Sequence, residues 1–314
     1  MEPNLPTFDV IAIGELLVDL IGADPEGTLE KTSTFERQQG GSPANLVRTA
    51  ALAGCRTAII ASVGNDGLGD FLKRELDEAG VDTDFVRTTK HAPTSCVLLS
   101  RSAGTSEFIA YRHADMHLDI SQVDAEVLRD ARIVHTTAFA LSREPARSTI
   151  LSLFRIAKDG GAKRSIDVNY APRIWPDRDE AISILKDVVG NASYVKVSDD
   201  DLRRLFGPTD QGVRGVHRLH DWGAESVCLT RGPDGCRVSW NDGASHAELP
   251  ATPVPDIADA TGAGDAFWGG FLSAQIRNCT PAEGARIGME VAAQKLKSIG
   301  PLTSLGPIDG LNNG

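Results

Sequence analysis

The sequence contains few cysteines and no apolar stretch long enough to span a membrane. The five cysteines among 314 residues are widely spaced and form no C-x-x-C pair. This spacing argues against a disulfide framework or a zinc knuckle and favours free thiols in a reducing compartment. A membrane-spanning helix needs about 20 apolar residues, and the N-terminus lacks the basic start of a secretory signal. We therefore expect a cytoplasmic protein without membrane contacts.

Basic residues are fewer than acidic ones, and several common sequence motifs are missing. The 32 Lys and Arg residues against 43 Asp and Glu residues give a net charge of −11, which disfavours nucleic acid as a partner. Backbone amides could still bind a small phosphate group. The sequence has no G-x-x-x-x-G-K-[ST] loop, no G-x-G-x-x-G after a strand and no G-x-S-x-G elbow. Walker-type NTPases, dinucleotide-binding enzymes and serine hydrolases are therefore disfavoured.

Short apolar runs alternate with helical stretches along most of the chain. This alternation predicts an α/β fold with a mostly parallel sheet sandwiched by helices, in a single domain of residues 1–314. Two extended regions, about residues 15–36 and 94–112, break the alternation and predict a small added β element, with a hairpin-type connection at residues 101–105. The predicted strands are residues 9–14, 57–63, 133–136, 165–168, 194–197 and 226–230, and the predicted helices are residues 43–53, 67–80, 145–159, 179–189 and 211–222.

A glycine-rich turn at residues 259–265 leads directly into a run with helical apolar spacing from Phe267 onward. Gly262 and Gly264 let the N–H groups at a helix start approach an anion, which the helix dipole also favours. Asp265 then falls in the first helical turn. An anion hole beside a proton acceptor is what phosphoryl transfer to a hydroxyl requires. An Asp that only complements the helix dipole is the alternative.

A second turn, with the paired glycines Gly40 and Gly41, precedes a predicted helix. Ser42 suits the N-cap and Pro43 the first helical position. Asn45 then lies in the first turn and could point back over the glycines, whose bare backbone allows a ligand to approach closely. These features favour a ligand site over a surface turn.

Asp19 lies in an extended run between the apolar residues Val18 and Leu20. Its carboxylate could point outward from a strand, or it could face a ligand at a strand end. From the residues alone, the outward orientation is favoured.

Together, residues 40–45 and 259–265 resemble the two signatures of the ribokinase-like (pfkB) carbohydrate kinases. The later stretch has the specific D-x-T-G-A-G-D-A-F form, and the resemblance covers roughly residues 9–307. It implies a ribokinase-like fold and ATP-dependent phosphorylation of a small-molecule sugar. It also implies that the β element of residues 15–36 and 94–112 is a lid over the sugar, through which a homodimer often forms.

The resemblance assigns catalysis to the later turn. Asp265 matches the catalytic base that takes the proton from the attacking sugar hydroxyl. The amides of Gly262, Ala263 and Gly264 match the anion hole for the phosphoryl group. The positions that match sugar-binding residues are Asp19, Gly40, Gly41 and Asn45.

The resemblance also implies sites for ATP, Mg²⁺ and a monovalent cation. Residues 230–235 resemble the T-x-G-x-x-G turn that meets the ATP phosphates. The family often has N-x-x-E where this chain has residues 198–201. Its Glu helps to hold Mg²⁺ through water, and Asp201, one methylene shorter, takes that position here. The ATP-binding candidates are Lys196, Thr230, Gly232 and Gly235, and those for a monovalent cation, possibly K⁺, beside the anion hole are Asp259, Thr261, Gly300 and Ser304.

The substrate depends on fewer residues. Residues 111–118 are similar to the fructokinase segment that contains A-D-M-x-L, which favours fructose. Arg112 could contact the sugar, pair with the carboxylate of a keto-acid sugar, or be a solvent-facing strand residue. Ala171 stands where the family's D-x-N-x-R stretch has arginine, and Arg173 could compensate. The alternatives are a kinase of 2-keto-3-deoxygluconate, 5-dehydro-2-deoxygluconate or ribose, and a non-catalytic protein that binds a sugar or nucleotide.

Overall fold

The computed structural model describes residues 7–25, 27–101, 107–210 and 212–311, which form fourteen strands and nine α-helices. The strands are β1 (Val10–Ile13), β2 (Leu17–Pro25), β3 (Phe35–Gly40), β4 (Thr57–Gly64), β5 (Val81–Asp82), β6 (Val86–Thr89), β7 (Cys96–Arg101), β8 (Phe108–Tyr111), β9 (Ile133–Thr137), β10 (Lys163–Asp167), β11 (Tyr194–Ser198), β12 (Ser226–Thr230), β13 (Cys236–Trp240) and β14 (Ser245–Leu249). The helices are α1 (Ser42–Leu52), α2 (Gly67–Glu78), α3 (Ala125–Asp130), α4 (Ala146–Asp159), α5 (Arg178–Val189), α6 (Asp199–Phe206), α7 (Val213–Asp221), α8 (Ala263–Ile276) and α9 (Pro281–Lys295).

The large sheet has ten strands in the order β14-β13-β12-β11-β10-β9-β1-β4-β5, and β6 also pairs with β4. The pairs from β5 through β12 are parallel, whereas β13 and β14 join antiparallel at one edge. All eight residues of β4 are buried, as expected for a parallel strand that is covered on both faces. The predicted α/β class with a mostly parallel sheet is therefore confirmed.

Two hydrophobic cores lie on opposite faces of this sheet. Within β1, Ile11 and Ile13 pack into one core and Val10 and Ala12 into the other, because successive strand residues point to opposite faces. Helices α3 to α7 contribute to the first core, and α1, α2, α8 and α9 contribute to the second. The sheet is therefore sandwiched between two helical layers.

A small sheet of four strands, in the order β3-β2-β7-β8, lies beside the large one. Strands β2 and β7 are parallel, and the two outer pairs are antiparallel. These strands coincide with the predicted β element, although β3 extends it to residue 40. The predicted connection at residues 101–105 lies mostly outside the described residues, so only the pairing of its flanking strands is described.

Three elements that were not predicted, or were predicted only in part, have weak hydrophobic patterns. Strand β3 carries Glu36, Arg37 and Gln38 in its middle, and β14 alternates half-buried with exposed residues. The eight residues of α6 begin with three consecutive aspartates. The helix predicted at residues 211–222 is α7, which is shorter, and Gln211 lies outside the described residues.

None of the described helices combines the length and the apolar character that crossing a bilayer requires. All five cysteines are free thiols, as predicted. Cys55, Cys228 and Cys236 are buried, whereas Cys96 and Cys279 are partly exposed.

Candidate active site

Helix α8 begins at the predicted anion-binding turn and is apolar on every side, so that most of its residues are buried. Its N-cap, Gly262, has a φ of 75°, a left-handed conformation that glycine adopts at least cost. A Cβ on Gly269 would lie 2.7 Å from Thr49 of α1, and one on Gly270 would lie 2.7 Å from Val291 of α9. These close approaches hold α8 firmly between its two neighbouring helices.

Asp265 lies in the first turn of α8, as predicted, and its carboxylate faces α1. Ser42 Oγ donates to Asp265 Oδ1 at 2.7 Å, and Asn45 Nδ2 donates to Asp265 Oδ2 at 2.9 Å. The predicted N-cap role of Ser42 is wrong, because α1 begins at Ser42 and its N-cap is Gly41, without a side-chain cap hydrogen bond. The Ser42 hydroxyl binds the Asp265 carboxylate instead.

Burial raises the pKa of Asp265 to about 6. The hydrogen bonds from Asn45 and Ser42 and the charge of Lys196 oppose this rise, and the charge of Asp167 adds to it. A carboxyl group with such a pKa is mostly ionised at neutral pH, yet it accepts a proton more readily than an ordinary Asp. Asp265 therefore has the properties of a general base.

Asp19 is buried, with 8% of its surface exposed, so the outward orientation that its neighbours favour is wrong. Burial raises the pKa of Asp19 to about 8, and the charges of Asp265 and Asp259 add to the rise. Lys295 opposes it. The carboxyl group of Asp19 thus lies close enough to that of Asp265 for the two to influence each other's ionisation.

Gly40 and Gly41 make room for neighbouring groups of the protein. A Cβ on Gly40 would lie 2.3 Å from the carboxyl carbon of Asp19. Gly41 has a φ of 98°, and its Cβ would lie 2.3 Å from the carbonyl oxygen of Glu15. Any side chain here would displace Asp19 or the connection from β1 to β2. The sugar contacts expected of the two glycines stay predictions.

Lys196 brings a positive charge to the start of α8. Its Nζ lies 2.7 Å from Asp167 Oδ2 in a buried ion pair. The same Nζ lies 3.0 Å from the position that a Cβ on Gly264 would take. Ala263 N–H donates to Ala260 O and closes the turn, so the N–H groups of Gly262 and Gly264 are the better candidates for binding an anion. Lys196 Nζ therefore lies beside the first turn of α8 at Gly264.

Two carboxylates near Lys196 fit a magnesium ion. Asp201 Oδ2 accepts hydrogen bonds from the N–H and the hydroxyl of Ser198. Burial raises the pKa of Asp201 to about 6, with a further contribution from the charge of Asp167. Asp167 Oδ1 is buried without a hydrogen-bond partner. The described residues contain no group of three or more metal-ligating side chains, so Mg²⁺ would take its other oxygen ligands from water and phosphate, as it commonly does.

The predicted ATP-phosphate turn joins β12 to β13. Thr230 ends β12, and Gly232 and Gly235 have φ values of 54° and 82°. A Cβ on Gly235 would lie 2.0 Å from Leu249 O, so only glycine fits there. Because β12 pairs in parallel with β11 and Thr230 lies opposite Ser198, the last residue of β11, the turn lies at the edge where the carboxyl ends of these strands meet. Ligands of open α/β sheets bind at this edge.

The pfkB family carbohydrate kinase model matches residues 7–306. The chain belongs to the pfkB carbohydrate kinase family. It is 35% identical over 302 residues to the ATP-dependent 6-phosphofructokinase of Thermoanaerobacterium thermosaccharolyticum, covering 96% of this chain and 92% of that protein. The predicted family and the predicted sugar phosphotransferase activity are therefore confirmed.

Solved structures of sugar kinases agree with this assignment. The fructokinase of Halothermothrix orenii superposes with a TM-score of 0.79 at 32% identity, over 89% of this chain and 96% of that one. The sugar kinase PH1459 of Pyrococcus horikoshii in complex with ATP superposes with a TM-score of 0.81 at 28% identity, over 93% of both chains. The fold is therefore that of the ribokinase-like sugar kinases.

The side chain of Arg112 in this pfkB kinase forms hydrogen bonds with other residues of the protein. Its Nε donates to Asp115 Oδ2 at 2.7 Å and its Nη1 to Phe139 O at 2.8 Å. Since only 8% of its side chain is exposed, a solvent-facing strand residue is excluded. The guanidinium ties the segment after β8 to the loop after β9. Its contact with a sugar stays a prediction.

Of the residues predicted to bind a monovalent cation, the structure brings Asp259, Thr261 and Gly300 into contact but not Ser304. Asp259 Oδ1 accepts from Thr261 N–H at 3.0 Å, and Asp259 Oδ2 accepts from Gly300 N–H at 3.3 Å. Ser304 is exposed. A side chain that was not predicted, Lys295, places its Nζ 3.2 Å from Asp259 Oδ2.

Glu15 is a second buried residue near the site that was not predicted from the sequence. It is buried, and its Oε2 accepts a hydrogen bond from Thr137 Oγ1 at 2.9 Å. Burial raises the pKa of Glu15 to about 8. The available signal was its position directly after Gly14, where the buried strand β1 ends, because ligands approach this end of parallel strands.

Proposed function

We propose that this carbohydrate kinase transfers the γ-phosphate of ATP to a primary hydroxyl of fructose, with Asp265 as the general base. The observation that carries the proposal is the buried Asp265 carboxylate in the first turn of α8, held by Ser42 and Asn45. Beside it lie the glycine-rich turn and the ammonium group of Lys196. A base, an anion-binding turn and a fixed cation are the components of phosphoryl transfer to an alcohol.

In the proposed reaction, Asp265 accepts the proton of the sugar hydroxyl as the hydroxyl oxygen attacks the γ-phosphorus of ATP. The bond between the γ-phosphorus and the oxygen that bridges it to the β-phosphate breaks, and ADP leaves. The amides of Gly262 and Gly264 and the ammonium of Lys196 stabilise the negative charge that develops on the transferred group. Asp167 and Asp201 would hold Mg²⁺, which neutralises phosphate charge when it is bound. The Ser42 and Asn45 hydrogen bonds keep the Asp265 carboxylate ionised and aligned.

The ion pair of Arg112 supports fructose over a keto-acid sugar. Arg112 already pairs with Asp115 through a contact of 2.5 Å, and a carboxylate ligand would have to compete with this buried partner. Kinases of 2-keto-3-deoxygluconate or 5-dehydro-2-deoxygluconate are therefore less well supported. Ribose stays open because it needs no such cation.

Fructose 6-phosphate is a second candidate, because a relative that covers nearly the whole chain is named as an ATP-dependent 6-phosphofructokinase. A phosphorylated sugar would require a cation at the far end of the sugar pocket. Arg173 suits this role, since it is exposed and its Nη1 donates to the carbonyl oxygen of Phe108 on lid strand β8.

The test is ADP release with Mg²⁺ and ATP over a panel that contains fructose, fructose 6-phosphate, ribose, 2-keto-3-deoxygluconate and 5-dehydro-2-deoxygluconate. We expect the highest kcat/KM with fructose. A higher value with fructose 6-phosphate, lost in Arg173→Gln, would replace fructose as the substrate. ATP binding without turnover on any sugar would support the non-catalytic alternative.

We also propose that the protein forms a homodimer through the outer face of the small sheet. Ile109 and Tyr111 on edge strand β8 are 43% and 49% exposed. In the paired register, Leu98 and then Leu20 continue the row that starts at Ile109, and both are partly exposed. A second copy would cover this apolar row, as exposed apolar patches commonly mark interfaces.

A further inference from the structure

Lys295, the last residue of α9, is buried beside the glycine-rich turn, with 1% of its surface exposed. Its Nζ donates to Asp259 O at 3.0 Å, to Asp259 Oδ2 at 3.2 Å and to Ser298 O at 3.3 Å. An ammonium group has three N–H donors, and three oxygens surround this one. The charge of Lys295 is therefore fully coordinated within the protein.

These oxygens belong to the segments in which the monovalent cation was expected. Asp259 was predicted on one side, and Ser298 lies in the loop after α9, two residues before the predicted Gly300. The Asp259 carboxylate also accepts from the N–H groups of Thr261 and Gly300. A metal ion needs free oxygen ligands, whereas N–H donors from three residues already point at Asp259. Because Lys295 and these N–H groups already bind both carboxylate oxygens of Asp259, Asp259 has none free, and this side of the predicted site does not fit K⁺.

We propose that the ammonium group of Lys295 replaces the monovalent metal ion, so that this kinase needs no K⁺ for activity. The inference rests on the proposed kinase function. Both groups carry a single positive charge, and Lys is a compact point charge that is permanently tethered to α9. The charge therefore stays in place whatever the salt composition of the medium.

The position of Lys295 explains how this charge acts on the phosphoryl-binding turn. Lys295 Cε lies 3.9 Å from the position of a Cβ on Gly262, the N-cap of α8. Asp259 bonds both to the ammonium and to Thr261 N–H, so it links Lys295 to the turn. Without a cation, the buried charge of Asp259 would be uncompensated beside an incoming phosphate group. Lys295 thus positions the turn and cancels that repulsion.

The first test is the rate of ADP release with tetramethylammonium as the sole monovalent cation, compared with added K⁺ or Na⁺. We expect kcat to change less than about twofold. An increase of tenfold or more with K⁺ would overturn the proposal, because it would show that an ion is still required.

The second test uses Lys295→Met, which keeps the length of the side chain and removes its charge. We expect kcat to fall at least tenfold in tetramethylammonium and to recover in part with K⁺. Lys297→Met, two residues away and exposed, should behave like the parent protein in both media. A Lys295→Met variant with full activity in tetramethylammonium would contradict the proposal.

A readout that needs no turnover separates this inference from the proposed function. We expect 100 mM K⁺, relative to tetramethylammonium at equal ionic strength, to leave the Tm of the parent protein unchanged and to raise that of Lys295→Met. The Tm values show whether Lys295 takes the place of K⁺ even if no sugar is phosphorylated. A saturable rise of several degrees in the parent protein would overturn the inference.

Discussion

At the scale of single residues, Asp265 combines burial with hydrogen bonds to its ionised form. Burial raises the pKa of Asp265, and the bonds from Asn45 and Ser42 limit the rise to a value of about 6. Neither effect alone gives a base that is ionised at neutral pH and still readily protonated. The chemistry of the site therefore depends on two residues of α1 as much as on Asp265 itself.

We expect Asp265→Asn to lower kcat by about a hundred- to ten-thousand-fold, because the amide cannot accept the hydroxyl proton. The dissociation constant for ATP should stay within a few-fold of the parent value. The matched control is Asp256→Asn, an exposed residue of the preceding loop, which should keep full activity. A kcat for Asp265→Asn within about threefold of the parent value would rule out its role as the base.

The pH profile follows from the same carboxylate. Since Asp265 must be ionised to act, log kcat/KM should fall with decreasing pH below about 6 and level off above it. Ser42→Ala removes a hydrogen bond to the ionised form of Asp265 and so raises the pKa of Asp265. The acidic limb of the profile, where log kcat/KM falls, should therefore shift to higher pH by up to about one pH unit. A limb near pH 8 that does not move in Ser42→Ala would instead assign it to Asp19.

The sequence placed Asp265 in the first turn of an apolar helix because a glycine-rich turn that opens such a helix is a local pattern, and the family resemblance predicted its role as the base. It did not identify Lys295 or the bond from Ser42 to Asp265. Ser42 and Asp265 are 223 positions apart, and only the packing of α1 against α8 brings them together. Lys295 has an ordinary sequence context at the end of a helix, where a lysine commonly complements the helix dipole.

At the scale of elements, the site is assembled by the close crossing of α1 and α8. A Cβ on Gly269 would lie 2.9 Å from Leu46 O and 2.7 Å from Thr49 Cβ. The missing side chain therefore lets the two helices approach closely enough for Ser42 and Asn45 to reach Asp265. The alternating strands and helices were predictable because each has a local apolar period. The polar strand β3 was not predictable in this way, because it has no such apolar period and forms by pairing with β2.

We expect Gly269→Ala to lower the free energy of unfolding by about 1–3 kcal/mol, because the new methyl group must push α1 away from α8. The measurement is urea unfolding followed by tryptophan fluorescence, together with kcat/KM, which should fall as Asn45 moves from Asp265. The control is Gly67→Ala at the start of α2, where a Cβ meets nothing within 4 Å. Equal stability of both variants would show that the crossing tolerates separation.

At the scale of the whole molecule, the small sheet faces two environments. Asp19 lies on the inner face of β2 and is buried with the site, whereas Ile109 and Tyr111 lie on the outer face of β8. Because successive residues of a strand point to opposite faces, one sheet can carry the buried Asp19 on one face and the exposed apolar residues on the other. A second copy that packs on the outer face would therefore brace the strand that carries Asp19, and assembly and sugar binding should be coupled.

The coupling can be tested with Ile109→Glu, which places a charge in the exposed apolar row. If the proposed dimer forms, sedimentation equilibrium should give twice the monomer mass for the parent protein and the monomer mass for the variant, because a buried unpaired carboxylate opposes association. The KM for the sugar should rise as the small sheet loosens, with the Tm largely kept. The matched control is Val213→Glu on α7, also an exposed apolar residue, at 42%, but far from the small sheet in the sequence. It should leave mass and KM unchanged, and an equal loss of dimer in both variants would place the interface elsewhere.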